Sequence, residues 1–249
     1  MGWHDRGMVN LTRIYTRTGD GGQTHLGDFS RTHKTDPRLA AYADANEANA
    51  ALGIAIACGG LPPDVVATLT RVQNDLFDVG ADLCNPLAPS YEYPPLRVQQ
   101  RWIDELETDC DTYNERLQKL RSFILPGGSP GSAYLHLATT ITRRAERSTW
   151  AAIEAYGTEP AEKGATPPGG VNPLTATYLN RLSDLLFILA RVANLDAGGD
   201  VLWQPGGGRE SQADAPGGDA PATDAPGGES PEASGGDASG GETPNDRTP

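Results

Sequence analysis

The stretch Ile103-Asp104-Glu105-Leu106-Glu107-Thr108-Asp109-Cys110-Asp111-Thr112-Tyr113-Asn114-Glu115-Arg116-Leu117-Gln118-Lys119-Leu120 decides the fold. Its apolar residues Ile103, Leu106, Cys110, Tyr113, Leu117 and Leu120 step by 3, 4, 3, 4 and 3. That is the seam of a helix packed in a bundle, not the alternation of a strand. Four other segments follow the same logic, each opened by strong punctuation. The first runs from about Pro37 to Cys58, with Asp36 as cap and Pro37 in the first turn. The second follows Pro62-Pro63-Asp64 and carries Val65, Leu69, Val72, Leu76, Phe77 and Leu83. The quoted seam follows Pro94-Pro95 as the third. The fourth begins near Ser129-Pro130 and runs to about Tyr156, and the fifth begins near Asn172-Pro173 with Tyr178, Leu182, Leu185, Leu189 and Val192 on one side. Outside Thr12 to Thr16, no alternating pattern of useful length occurs. The pattern predicts an all-α bundle of five helices.

Composition divides the chain. Of 249 residues, 33 are acidic and 20 basic, a formal net charge of −13. The last 45 residues, Pro205 to Pro249, hold 11 of the 30 glycines, 7 of the 20 prolines and a net −7. They repeat Asp-Ala-Pro-Gly-Gly at 214–218 and 224–228. Such a segment lacks the apolar content to offset ordering entropy, so it is expected to be a disordered acidic tail. The expected organisation is a flexible N-terminus at 1–10, one domain over 11–204 and the tail over 205–249. The acidic balance excludes general nucleic-acid binding, which needs a basic footprint. No apolar run is long enough to span a bilayer, and residues 1–8 lack the pattern of a secretory signal. The cysteines Cys58, Cys84 and Cys110 show no metal-knuckle spacing and are expected to be small buried hydrophobes in a reducing, cytoplasmic protein. No Glu-x-x-His occurs, which excludes a di-metal carboxylate bundle. Gly157 to Val171, rich in Gly and Pro, reads as a flexible surface loop between the fourth and fifth helices.

Two constellations carry chemistry. Thr16-Arg17-Thr18-Gly19-Asp20-Gly21-Gly22-Gln23-Thr24-His25 places glycines, hydroxyls and a cation ahead of the first helix. Glycine lets backbone N–H groups turn toward an anion, and threonine and arginine can complete a phosphate cradle. It is not a Walker loop, since Asp28-Phe29 stands where Lys-Ser/Thr is required. A plain solvated loop is the alternative. Lys34 and Arg38 lie just downstream and would add charge to the same site. On the fourth helix Thr139, Arg143 and Arg147 are spaced i, i+4, i+8 on one stripe, with Glu146 one turn from Arg143, and Arg144 points elsewhere. Arginine at that density suits a polyphosphate, and surface salt bridging is the alternative. On the fifth helix Asn180 and Asp184 share a face, flanked by Arg181 and Arg191.

Together these residues resemble the PduO-type ATP:cob(I)alamin adenosyltransferases. The resemblance is carried by Tyr15 to Gly22, Lys34 with Pro37-Arg38, Glu47 to Gly53, Gln73 to Ala81, Phe123-Ile124-Leu125-Pro126-Gly127-Gly128, Arg143 to Arg147 and Tyr178 to Phe187, in family order over residues 11–204. It implies a ferritin-like five-helix bundle that assembles as a homotrimer with active sites between subunits. It implies transfer of the 5′-deoxyadenosyl group of ATP to cob(I)alamin, with Mg²⁺ and a monovalent cation assisting. It implies a cob(II)alamin reductase and a cobalamin-dependent mutase as partners, and neither nucleic acid nor membrane. By the same resemblance Thr16, Arg17, Thr18, Gly19, Thr24, His25 and Lys34 form the N-terminal ATP segment. Arg143, Arg144 and Arg147 hold triphosphate, Glu146 lies near Mg²⁺ or the nucleotide, and Asn180 binds nucleotide. Phe123 walls the corrin pocket and displaces the lower cobalt ligand, while Arg181 and Asp184 support the site. No set of protein metal ligands is assigned. Two positions depart from the family, which commonly has Asp where this chain has Asn46 and Arg where it has Thr139. Those residues pair across the family's subunit interface. The alternative function they suggest is an ATP- or cobalamin-binding carrier, or a low-activity paralogue, on the same bundle.

Overall fold

A computed structural model describes Tyr15 and residues 17–208, and the bundle is built from five helices. They are α1 (Pro37–Cys58), α2 (Pro63–Leu83), α3 (Gln100–Asn114), α4 (Pro130–Tyr156) and α5 (Leu174–Val192). The expected punctuation works as capping. The Asp36 carboxylate accepts from the Arg38 N–H at 2.8 Å, and the Ser129 hydroxyl accepts from the Ser132 N–H at 3.1 Å. Before α5 it is Asn172 that caps, accepting from the Leu174 N–H at 3.1 Å. Helix α4 packs between α1 and α5, with α2 against α1 and α3 against α5. Leu52, Leu69, Leu76, Leu106, Leu135, Leu179, Leu182 and Leu185 are fully buried between them. Each contributes about 1.5–3 kcal/mol of apolar transfer.

The structure corrects several expectations. Helix α3 ends at Asn114, so Leu117 and Leu120 fall outside it although they keep the heptad-like spacing. The chain turns there, and the Gln118 carbonyl oxygen accepts a hydrogen bond from Arg191 instead of continuing the helix. Two short strands that the sequence pattern did not reveal, β1 (Gln23–His25) and β2 (Arg31–His33), form an antiparallel hairpin ahead of α1. Three residues are too few to show period-two alternation. Of the candidate strand at Thr12 to Thr16, only Tyr15 lies within the described residues, and it is not in a strand. Cys58 is exposed and Cys84 and Cys110 are half-buried, so none is a core residue. The Gly157–Val171 loop is pinned rather than loose. Leu87 accepts from the Ala161 N–H at 3.1 Å and donates to the Gly170 carbonyl oxygen at 3.0 Å, and within the loop the Gly170 N–H donates to the Glu159 carbonyl oxygen at 2.8 Å. A Cβ on Gly169 would lie 1.7 Å from the Leu87 carbonyl oxygen, so the glycine is there for close approach. The expected tail beyond Gly208 and the expected flexible stretch at 1–10 lie outside the described residues.

Candidate active site

The hairpin sets the first half of the site. Thr24 pairs with Thr32, and His25 with Arg31. The Lys34 N–H donates to the Gly22 carbonyl oxygen at 2.9 Å, which folds the glycine turn back over the strand end. A Cβ on Gly19 would meet Lys34 Nζ at 2.9 Å, so only glycine lets the ammonium rest there. Arg17 has a φ of 62°, an uncommon left-handed conformation, and its guanidinium lies 5.7 Å from the Tyr15 ring centre. Lys34, Gly19, Arg17 and Thr18 are therefore one local unit, with His25 exposed at the strand end. Thr16 lies outside the described residues.

Arg38 does not join this unit. Its guanidinium is 1% exposed and is spent on carbonyl oxygens: Leu83 at 3.3 Å, Gly169 at 2.7 Å and Gly170 at 3.2 Å. It also lies 5.0 Å from the Tyr156 ring centre. Burial lowers its pKa, against the opposing pull of Asp36. The charge that sequence proximity suggested for the loop instead staples the end of α2 to the loop before α5.

The second half lies on α4 and α5. Arg143 and Arg147 are exposed one turn apart, and Glu146 between them accepts from Asn180 Nδ2 at 3.2 Å. Six other arginines, at 71, 97, 116, 144, 181 and 191, are held in ion pairs. Arg143 and Arg147 make none among the described residues, as is also true of Arg17, Arg31, Arg38, Arg101 and Arg121, so what distinguishes the two is the helix face they share. Arg144 turns the other way, to Asp44 at 3.3 Å and to Glu47, both on α1. The structure thus brings together Arg143, Glu146, Arg147 and Asn180, and places Arg144 on another face. Arg181 bridges Glu107 at 2.9 Å and Asp184 at 3.0 Å, which ties α3 to α5 beside Asn180.

Phe123 is 77% exposed, on a short two-stranded ribbon that the sequence did not disclose. Ile124 bridges Leu202, and the Trp203 N–H donates to the Phe123 carbonyl oxygen at 2.8 Å. The two aromatic rings meet edge to face, with centres 5.9 Å apart. Trp203 is the site residue that sequence reasoning missed. Its one signal was an aromatic residue just before the Gly/Pro-rich segment begins.

The two halves are separated within the chain. Tyr156 at the end of α4 donates to Asp36 at 2.7 Å, so the hairpin sits at that end of the bundle. Arg147 and Arg143 lie 9 and 13 residues back along α4, about 14 and 20 Å by helical rise. A cavity of about 620 Å³ opens beside the hairpin tip, lined by Phe29, Arg31, Tyr91, Tyr93, Tyr156 and Lys163. It includes none of Arg143, Arg147, Asn180 or Phe123. The α4–α5 face is instead open to solvent.

No helix among the described residues is long and apolar enough to cross a membrane. Nor do those residues contain a group of three or more His, Cys, Asp or Glu that could hold a metal ion.

Comparison with known proteins places these features. Residues 14–193 match the family described as Cobalamin adenosyltransferase. A corrinoid adenosyltransferase of Mycobacterium tuberculosis is 58% identical over 201 residues, spanning 81% of this chain and 97% of the relative. One from Bacillus subtilis is 38% identical over 196 residues, spanning 77% of this chain and 92% of the relative. Among solved structures, a variant PduO-type ATP:corrinoid adenosyltransferase from Lactobacillus reuteri complexed with cobalamin and ATP is 32% identical, with a TM-score of 0.66, covering 77% of this chain and 99% of that one.

Proposed function

Since the chain belongs to the cobalamin adenosyltransferase family, it is an ATP:corrinoid adenosyltransferase, and we propose how its residues carry the reaction. The reaction transfers the 5′-deoxyadenosyl group of ATP to cob(I)alamin and yields adenosylcobalamin and triphosphate. The cobalt electron pair forms the bond to C5′. The C5′–O bond breaks, and its electrons leave on triphosphate. Cob(I)alamin is itself the nucleophile, so the protein's work is to align C5′ with cobalt and stabilise the leaving anion.

The observation that carries this assignment is that Arg143 and Arg147, both exposed and outside any ion pair, flank Glu146 on the α4 turn that Asn180 contacts. Arg143 and Arg147 present planar forks to the triphosphate, where charge accumulates as the bond breaks. Asn180 fixes Glu146 and reaches the nucleotide. Mg²⁺ characteristically binds through one or two carboxylates plus substrate phosphates, and Glu146 is the carboxylate placed for it. When bound there, the metal would neutralise charge on the phosphates. Arg17 to Gly19, Thr24, His25 and Lys34 would close over the phosphates from the hairpin and the turn before it, and Phe123 would offer its ring to the corrin; Thr16 belongs to the same segment by resemblance alone. Arg144 acts indirectly, by fixing α1 against α4.

The working form in this reading is a homotrimer with each site between subunits. Its support is the separation of about 14–20 Å between the hairpin end and the arginines, which a neighbour's hairpin would close. Exposed apolar residues Ile54, Phe77, Leu137 and Trp150 offer surface for such contacts. A monovalent cation, a cob(II)alamin reductase, a cobalamin-dependent mutase and a cytoplasmic location complete the proposal. The test is direct: supply ATP, Mg²⁺ and cob(I)alamin, and follow the absorbance change to adenosylcobalamin. Bound corrinoid without product at saturating substrates would favour the carrier reading and sink this one.

A further inference from the structure

We infer that Arg191 is a positioning residue for the corrinoid, acting by anchoring the two segments that lead into the ribbon presenting Phe123. The inference rests on the reading of Phe123 as the apolar wall of the corrin site. Five large apolar side chains stand on this ribbon and remain open to water: Phe123 at 77% exposure, Leu125 at 45%, Val201 at 46%, Leu202 at 54% and Trp203 at 44%. A cluster of that kind marks a surface for an apolar ligand face rather than a part of the core. The strands hold each other through the Leu125 N–H on the Val201 carbonyl oxygen at 2.7 Å and the Trp203 N–H on the Phe123 carbonyl oxygen at 2.8 Å. Ser122 Oγ donates to the Trp203 carbonyl oxygen at 3.2 Å. A single β-bridge with two flanking hydrogen bonds is not stable by itself, so its position must be set from below.

Arg191 does this. It lies in the last turn of α5, is 8% exposed, and sends its two arms to the two segments that lead into the ribbon. Nε donates to Asp200 Oδ2 at 2.8 Å, immediately before Val201. Nη2 donates to the Gln118 carbonyl oxygen at 2.8 Å, on the segment that leads to Phe123. The guanidinium fork reaches both acceptors from one rigid plane, which an ammonium does not reproduce. The ribbon's strands are therefore referenced to one side chain on α5, the helix that also carries Asn180. Arg191 follows Asn180 by 11 residues, about 16 Å along the axis, so corrin wall and nucleotide asparagine share one rigid rod.

The test uses the full chain with Arg191→Met and Asp200→Asn together, so that no buried charge is left unpaired. Read-outs are the thermal midpoint, KM for ATP, KM for the corrinoid, and the spectrum of cob(II)alamin bound with ATP. The expected result is a folded protein with ATP KM unchanged, corrinoid KM raised about ten- to a hundred-fold, and loss of the four-coordinate cob(II)alamin signature. Arg191→Lys, which keeps the charge but not the fork, is expected to move the same two read-outs in the same direction. Wild-type corrinoid KM and spectrum in either folded variant overturn the inference, as does an equal rise in both KM values. Phe123→Ala separates the premise: if it leaves the corrinoid KM and spectrum unchanged, the placement of the corrin wall is wrong. If Phe123→Ala alters them and the Arg191 variants do not, only the positioning role falls.

Discussion

The Thr139 hydroxyl donates to the Leu135 carbonyl oxygen at 2.8 Å, with the residue only 3% exposed. Three residues earlier His136 meets Phe187 of α5, and seven residues later Glu146 meets Asn180, so Thr139 lies on the α5 side of α4. Asn46 is exposed on α1, where its Oδ1 is 3.6 Å from the point a Cβ on Gly80 would occupy, so it faces α2. The two do not meet inside one protomer. Thr139→Arg alone is expected to lower stability by about 1–3 kcal/mol, because it forces a long cation into packed space. Asn46→Asp alone is expected to stay within about 0.5 kcal/mol, as exposed changes do. Combined, they are expected to recover stability and raise corrinoid turnover beyond the sum of the singles, by a coupling of at least about 0.5 kcal/mol. A double-mutant cycle that closes additively would remove the idea of a pair between subunits.

Arg143 and Arg144 are adjacent in sequence and opposite in role. If Arg143 grips the triphosphate as proposed, Arg143→Ala is expected to lower kcat/KM for ATP about ten- to a hundred-fold. Arg143→Lys is expected to recover only part of that, because the planar fork is lost. Arg144→Ala breaks a half-exposed bridge to Asp44 and Glu47, a change of about 1 kcal/mol or less in stability. Its ATP kinetics are expected to stay near wild type. Equal kinetic losses at both positions would place Arg144 in the nucleotide site and contradict its geometry here.

Arg38 and Lys34 divide in the same way. Arg38→Met leaves the Leu83 and Gly169 carbonyl oxygens without that donor inside the fold, and is expected to cost about 2–4 kcal/mol in a urea unfolding midpoint. Lys34→Ala is expected to leave the midpoint unchanged and raise KM for ATP. A stable Arg38→Met enzyme with impaired ATP binding would mean that the buried staple had been misread.

The helices were legible because their signals are local and redundant. Asp36-Pro37 and Ser129-Pro130 write a cap and a first turn, and the α1 bounds follow from them. The arginine stripe was legible because a 3.6-residue period fixes which side chains share a face. What escaped depends on contacts distant in sequence. The Phe123–Trp203 ribbon joins segments 80 residues apart. Arg38 reaches Gly169 across 131 residues, and no local pattern marks an arginine for burial. The loop before α5 was misread because glycine signals either freedom or close approach, and only the Leu87 backbone beside Gly169 distinguishes them.

His136 is expected to make the fold sensitive to acid. It is 7% exposed, its Nε2 has no hydrogen-bond partner, and its ring lies edge-on to Phe187 at 5.9 Å. Burial lowers its pKa, only partly opposed by Asp200, whose carboxylate is already held by Arg191 at 2.8 Å. The unfolded chain, with an ordinary histidine near about 6.5, therefore binds the proton before the folded protein does. Where the unfolded state holds more protons, stability rises with pH, so it falls as pH drops below that ordinary value and levels off only below the depressed folded value. His136→Gln removes this titration. The variant is expected to be less stable than wild type at pH 7.5, through altered packing against Phe187. It is also expected to lose less stability between pH 7.5 and pH 5, as read from thermal midpoints at each pH. An identical acid slope in both proteins would show that His136 is already charged or solvated in the folded state.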